Sequence, residues 1–109
     1  MGWLRGTGVI ALAVGTLGVV QAMAAEPVIT MRNMAYEPAV LTAKVGDTIR
    51  FNNSDGISHE VFVPTKGFGV DLGAQKPGEE TRLPLHRPGK FEVECVFHDH
   101  MLLTVTVTP

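Results

Sequence analysis

Along most of the chain apolar residues recur at every second position, in short runs separated by Gly, Pro, Asn and Asp. No run keeps a 3.6-residue period long enough to predict a helix. Val28 to Met31 predicts a first strand and Val40 to Lys44 a second, ended by the turn Val45-Gly46-Asp47. Thr48 to Phe51 sets Ile49 and Phe51 on one face, and Asn52 to Ser58 reads as a polar loop. His59, Val61 and Val63 share a face of the next strand. The Gly- and Pro-rich stretch Pro64 to Gly78 predicts a long connection, with an irregular edge element near Phe68 to Leu72. Glu80 to Leu85 resumes the alternation. After Pro88-Gly89, residues Phe91, Val93 and Cys95 point inward while Glu92 and Glu94 point outward. The last strand places Leu103, Val105 and Val107 inside and Thr104, Thr106 and Thr108 outside. The expected fold is all-β, a Greek-key β-sandwich of about seven to eight strands.

The N-terminal segment breaks this pattern. Arg5 is followed by an apolar run from Gly8 to Val20 and by the small-x-small triplet Ala22-Met23-Ala24. The run is shorter than the ~20 apolar residues that span a bilayer. Residues 1–24 are therefore expected to be a signal peptide cleaved after Ala24, with 25–109 as the exported, periplasmic domain. An uncleaved anchor is the alternative. A domain of this size has one small core, which excludes a Rossmann fold or a TIM barrel. Arg5 leaves with the leader, and the charge of −2 becomes more acidic by one. The charges are scattered, with no basic stripe for a phosphate backbone, so no nucleic acid partner is expected. A monomer without stable membrane insertion is the default.

The single cysteine is the chemical clue. Small exported domains often rely on disulfides, yet Cys95 has no partner in the chain. It pairs with a second chain, packs in the core, or holds a metal. Its neighbours favour the last. Cys95-x-x-His98-x-x-Met101 lies between two strands, with Met101 in phase with Leu103 and Val105, and His59 stands at a distant strand end. A thiolate, two imidazoles and a thioether form a soft mixed donor set of the kind that selects copper. His100 reads as an exposed histidine, an alternative ligand to His98 or a docking contact. His86 reads as a surface residue, and Met31 and Met34 as core or edge hydrophobes.

At these residues the chain resembles the cupredoxins, the small type 1 copper proteins. Tyr36-Glu37-Pro38, Val45-Gly46-Asp47-Thr48, Phe51-Asn52-Asn53, His59, Pro88-Gly89-Lys90-Phe91 and the Cys95 to Met101 loop fall in that family's order. The two-residue gaps on either side of His98 look most like those of the amicyanins. The resemblance implies His59, Cys95 and His98 as strong equatorial ligands of one copper ion and Met101 as a long axial one. It also implies Asn after the first histidine and Ser or Thr after the cysteine, side chains that join the two ligand segments. Here those positions hold Glu60 and Val96, so that bridge cannot be built in the usual way.

The function expected from these features is a one-electron carrier between redox partners, by resemblance a c-type cytochrome or a dehydrogenase. Asp99, His100 and Phe68-Gly69-Val70 are candidates for the surface that meets them. The alternative is a copper-sequestering or copper-delivery protein. A metal-free interaction domain is a third class. An enzyme is not expected. Four histidines are too few for a multicopper oxidase, and one cysteine cannot bridge a binuclear copper centre.

Overall fold

The computed structural model describes residues 23–109, so the leader expected over 1–24 falls, but for its last two residues, outside the described residues. Nine strands are described: β1 (Val28–Arg32), β2 (Ala35–Glu37), β3 (Val40–Lys44), β4 (Thr48–Asn53), β5 (His59–Val63), β6 (Val70–Gln75), β7 (Glu80–Pro84), β8 (Gly89–Glu94) and β9 (Leu102–Thr108). They form two sheets, ordered β2-β1-β4-β7 and β3-β9-β8-β5-β6. The β1–β4 and β3–β9 pairs are parallel, because the chain changes sheet between those strands, and the other pairs are antiparallel. The sandwich matches expectation with slightly more strands. The extra strand is β2, too short to show an alternation of its own.

The alternating apolar positions meet between the sheets. Ile29, Met31, Ile49 and Phe51 from the first sheet face Val61, Val63, Phe91, Val93, Leu103 and Val105 from the second, all nearly or fully buried. Burial of each such side chain contributes roughly 1.5–3 kcal/mol, and this core is the platform on which the site is built.

Two local devices set the end of the sandwich that carries the candidate ligands. The β1–β2 hairpin closes through Asn33 and Met34, both with φ of 55°, the two-residue turn whose twist suits a hairpin. Asn tolerates this left-handed conformation, whereas Met does so at a steric cost. Both backbone N–H groups donate to the Asp55 carboxylate, at 2.7 and 3.0 Å, which offsets that cost. Below them lies a buried amide scaffold. Asn53 Nδ2 donates to the carbonyls of Ile57 and Gln75, and Gln75 Nε2 donates to those of Phe51 and Glu79. Asn53 and Gln75 are each 1% exposed. The loop expected from Asn52 thus starts later, since both asparagines extend β4 and the Asn53 side chain organises the turn that leads to β5.

Candidate metal centre

His59, at the start of β5, is fully buried. The chain between β8 and β9 folds as two successive tight turns. The Cys95 carbonyl accepts the His98 N–H at 3.2 Å, and the His98 carbonyl accepts the Met101 N–H at 3.2 Å. Cys95 N–H then donates to the Met101 carbonyl at 3.4 Å, closing the loop directly above the β8–β9 ladder. The two-residue gaps are therefore the interiors of turns, and residues at three-residue spacing return to one side. Val96, Phe97, Asp99 and His100 at the turn tips face solvent, while Cys95 and Met101 are 4% and 2% exposed.

The donor atoms of His59, Cys95 and His98 lie within 4.8 Å of one another, and the two imidazole centroids are 5.0 Å apart. Nδ1 of His59 and Nε2 of His98 are buried with no hydrogen-bond partner among the described residues. Two unpartnered buried nitrogens beside a buried sulfur are costly unless a cation takes them up. This donor set fits a type 1 copper ion. Met101 is tied to Cys95 through its backbone and lines a surface hollow with His98, Phe97 and Met34. His100 borders that hollow, but it is exposed and is not one of the converging donors.

Around the candidate donors Glu60 and Val96 stand where the resemblance implies an amide and a hydroxyl. Asp55 Oδ2 lies 2.5 Å from His59 Nε2, so the carboxylate that clamps the β1–β2 turn also orients the buried ring. Burial pushes the Asp55 carboxyl upward, but the Met34 N–H, the His59 ring and the Asn33 N–H outweigh it and hold it below the ordinary range. Glu60 N–H donates to Cys95 Sγ at 3.3 Å, so the backbone link between the ligand segments survives without the amide–hydroxyl bridge. The Glu60 side chain is itself buried. Burial first, then the neighbouring Asp71 carboxyl, push its pKa up against a lowering pull from the Val96 N–H. Tyr36 is 2% exposed and donates its hydroxyl to the Glu60 carbonyl at 2.5 Å. Burial, followed by Cys95 and Glu60, raises its phenol well above the ordinary range.

Sequence reasoning missed Asp55, Asn53, Gln75 and the burial of Glu60. The alternation sets His59, Val61 and Val63 on one face and leaves Glu60 on the other, yet Glu60 is buried, next to the register shift between β5 and β6. For Asp55 the only available cue was the Asn53-Ser54-Asp55-Gly56 turn composition. Phe68-Gly69-Val70 does not border the site. Gln75 pairs with His59 at one end of β6 and Val70 pairs with Val63 at the other, so that segment lies at the opposite end. There Phe68 stacks on Phe91 and carries Arg87 above it.

A family model described as a cupredoxin-like domain matches residues 8–107. The methylamine utilization protein MauL of Methylorubrum extorquens is 35% identical over 71 residues, which cover 64% of this chain. The match spans 62% of that relative's length. A Cu(I) form of an amicyanin variant superposes with a TM-score of 0.71 at 25% identity, covering 75% of this chain and 81% of that one. A purple cupredoxin from Nitrosopumilus maritimus superposes at 0.67 and 19% identity, covering 76% of this chain and all of the other, a likeness of fold alone.

Proposed function

The chain belongs to the cupredoxin-like family, and from that membership we propose that it is an exported one-electron carrier and not an enzyme. His59, Cys95 and His98, with Met101 beside them, would hold one copper ion. The observation that carries this assignment is the convergence of donor atoms of His59, Cys95 and His98 within 4.8 Å, with one buried, unpartnered nitrogen on each imidazole. When bound, copper supplies a one-electron Cu(I)/Cu(II) couple at this point.

The protein's share of the work is rigidity and exclusion of water. β5 fixes one ligand, while two hydrogen-bonded turns fix the other three, so the donor positions change little between oxidation states. The Glu60 N–H withdraws charge from the sulfur, and the Asp55 carboxylate makes the His59 ring a stronger donor. His98 is the ligand nearest solvent, beside the exposed apolar side chains of Phe97 and Met34. This edge is where a redox partner, such as a c-type cytochrome or a dehydrogenase, would approach. The signal peptide ends at Ala24, and the monomeric domain works in the periplasm.

Electron self-exchange of the copper-loaded protein tests this proposal. Fast exchange with metal retained in both states supports a carrier. Slow exchange with tight Cu(I) retention would move the assignment to copper sequestration or delivery.

A further inference from the structure

We propose that Asp47 is the receptor for the amino group created when the Ala24–Ala25 bond is cut, so that processing installs an ion pair that clamps the start of the mature chain. This rests on the assignment of residues 1–24 as a cleaved leader. Ala25 N already lies 2.9 Å from Asp47 Oδ1. The other oxygen of that carboxylate accepts the Lys44 N–H at 2.9 Å. Ala25 is also in register with the first sheet, since its carbonyl accepts the Thr48 N–H and the Pro27 carbonyl accepts that of Arg50. Upstream, Met23 is 91% exposed and Ala24 is exposed, outside any strand, so the contacts of this end begin at Ala25.

The chemistry of the cut changes what Asp47 binds. A signal peptidase adds one water across the amide. The hydroxyl goes to the Ala24 carbonyl, which departs as a carboxylate. The nitrogen of Ala25 gains hydrogens and becomes an ammonium at neutral pH. A neutral N–H donor is thereby replaced by a charged one on a carboxylate that is only 8% exposed, and charge-assisted bonds are roughly twice as strong as neutral ones.

Asp47 is well placed to transmit that gain. It sits in the β3–β4 turn, which joins the two sheets. Gly46 N–H donates to the Leu85 carbonyl and Leu85 N–H donates to that of Asp47, tying in the chain beyond β7. This end of β4 is opposite the end that carries Asn53 and the metal centre. The other ionisable groups nearby are Lys44 on β3 and Glu26, which pairs with Arg82 of β7 at 3.2 Å. His86 follows Leu85 in the chain.

The ion pair gives the pH dependence a definite sign. An amino group ordinarily titrates near about 7.7–8.0, and the Asp47 carboxylate raises that value in the folded state. The added stability is present below the ordinary value and is lost as the pH rises through the raised one.

Two copper-loaded chains, one beginning at Ala25 and one at Ala24, decide the matter. Both retain all nine strands and the four candidate ligands. The Ala25 chain is expected to melt at a higher temperature at about pH 6.5, with the gap closing toward about pH 9.5. In Asp47→Asn versions of both chains the gap should be absent throughout. Equal melting at every pH, or a gap that survives Asp47→Asn, would overturn the pairing. Separately, the mass of the protein recovered from exporting cells should correspond to a chain starting at Ala25. A different start would overturn the processing step, whereas the melting comparison tests the Asp47 contact by itself.

Discussion

Replacing Tyr36 with Phe isolates one buried hydrogen bond that supports the metal centre. The ring stays, and with it the edge-on packing against Phe51 at 6.2 Å, so no cavity opens. What is lost is the hydroxyl that donates to the Glu60 carbonyl at 2.5 Å, in a place where the tyrosine is 2% exposed. That carbonyl then has one partner fewer where water does not reach. Losses of this kind cost about 1–3 kcal/mol. In a domain of this size each kcal/mol lowers the melting midpoint by roughly 4–8 °C. Urea denaturation of the copper-free protein should give a lower midpoint at an unchanged m-value. The same substitution loosens the residue whose N–H donates to Cys95 Sγ, so the thiolate-to-copper band of the loaded protein should shift. With that donor less well held, the sulfur gives more charge to copper and the reduction potential falls. An unchanged midpoint together with an unchanged spectrum would refute the reasoning.

Other substitutions test the remaining contacts. Asp55→Asn should weaken copper binding by roughly 10–100-fold and raise the potential, because an amide supports the His59 ring less than a carboxylate does. Competition titration and voltammetry would show this, and unchanged values would remove Asp55 from the site. Burial, then the Asp71 carboxyl, raise the Glu60 pKa in the folded protein, so its share of stability falls as pH rises above the ordinary carboxyl range. Glu60→Gln should therefore stabilise the copper-free protein at about pH 7.5 but not at about pH 4; equal effects at both would exclude the carboxyl as the cause. Cys95→Ser should abolish the visible band and leave the far-ultraviolet β signature intact. His98→Ala should strip copper more severely than His100→Ala, measured as metal retained after dialysis. The reverse order would mean the wrong imidazole has been assigned.

Much of the fold was legible because burial between two sheets imposes a period of two on every strand. β3 and β5 run over the residues that the alternation predicted, Val40–Lys44 and His59–Val63. The His59, Cys95 and His98 cluster was legible for a different reason. Cys95 and His98 are close in sequence, and a lone cysteine in a domain expected to be exported calls for an explanation. What was not legible depends on contacts between residues distant along the chain. Asp55 reaches His59 only because the Asn53 amide bends the loop, and it reaches Asn33 and Met34 only because β1 and β4 pair in parallel. Glu60 is buried beside a register shift against β6, which the pattern of β5 cannot reveal. That Phe68-Gly69-Val70 lies at the end of the sandwich opposite His59 was not legible either, since it follows from how β5 and β6 pair.

The central claim, that one copper ion on Cys95 cycles a single electron, is tested most directly by a spectroelectrochemical titration of the copper-loaded protein. One copper per chain should give an intense visible thiolate-to-copper band. That band should bleach with uptake of one electron and return fully on reoxidation, with the metal retained throughout. A loaded protein that lacks the band, or that releases its metal on reduction, would contradict the account.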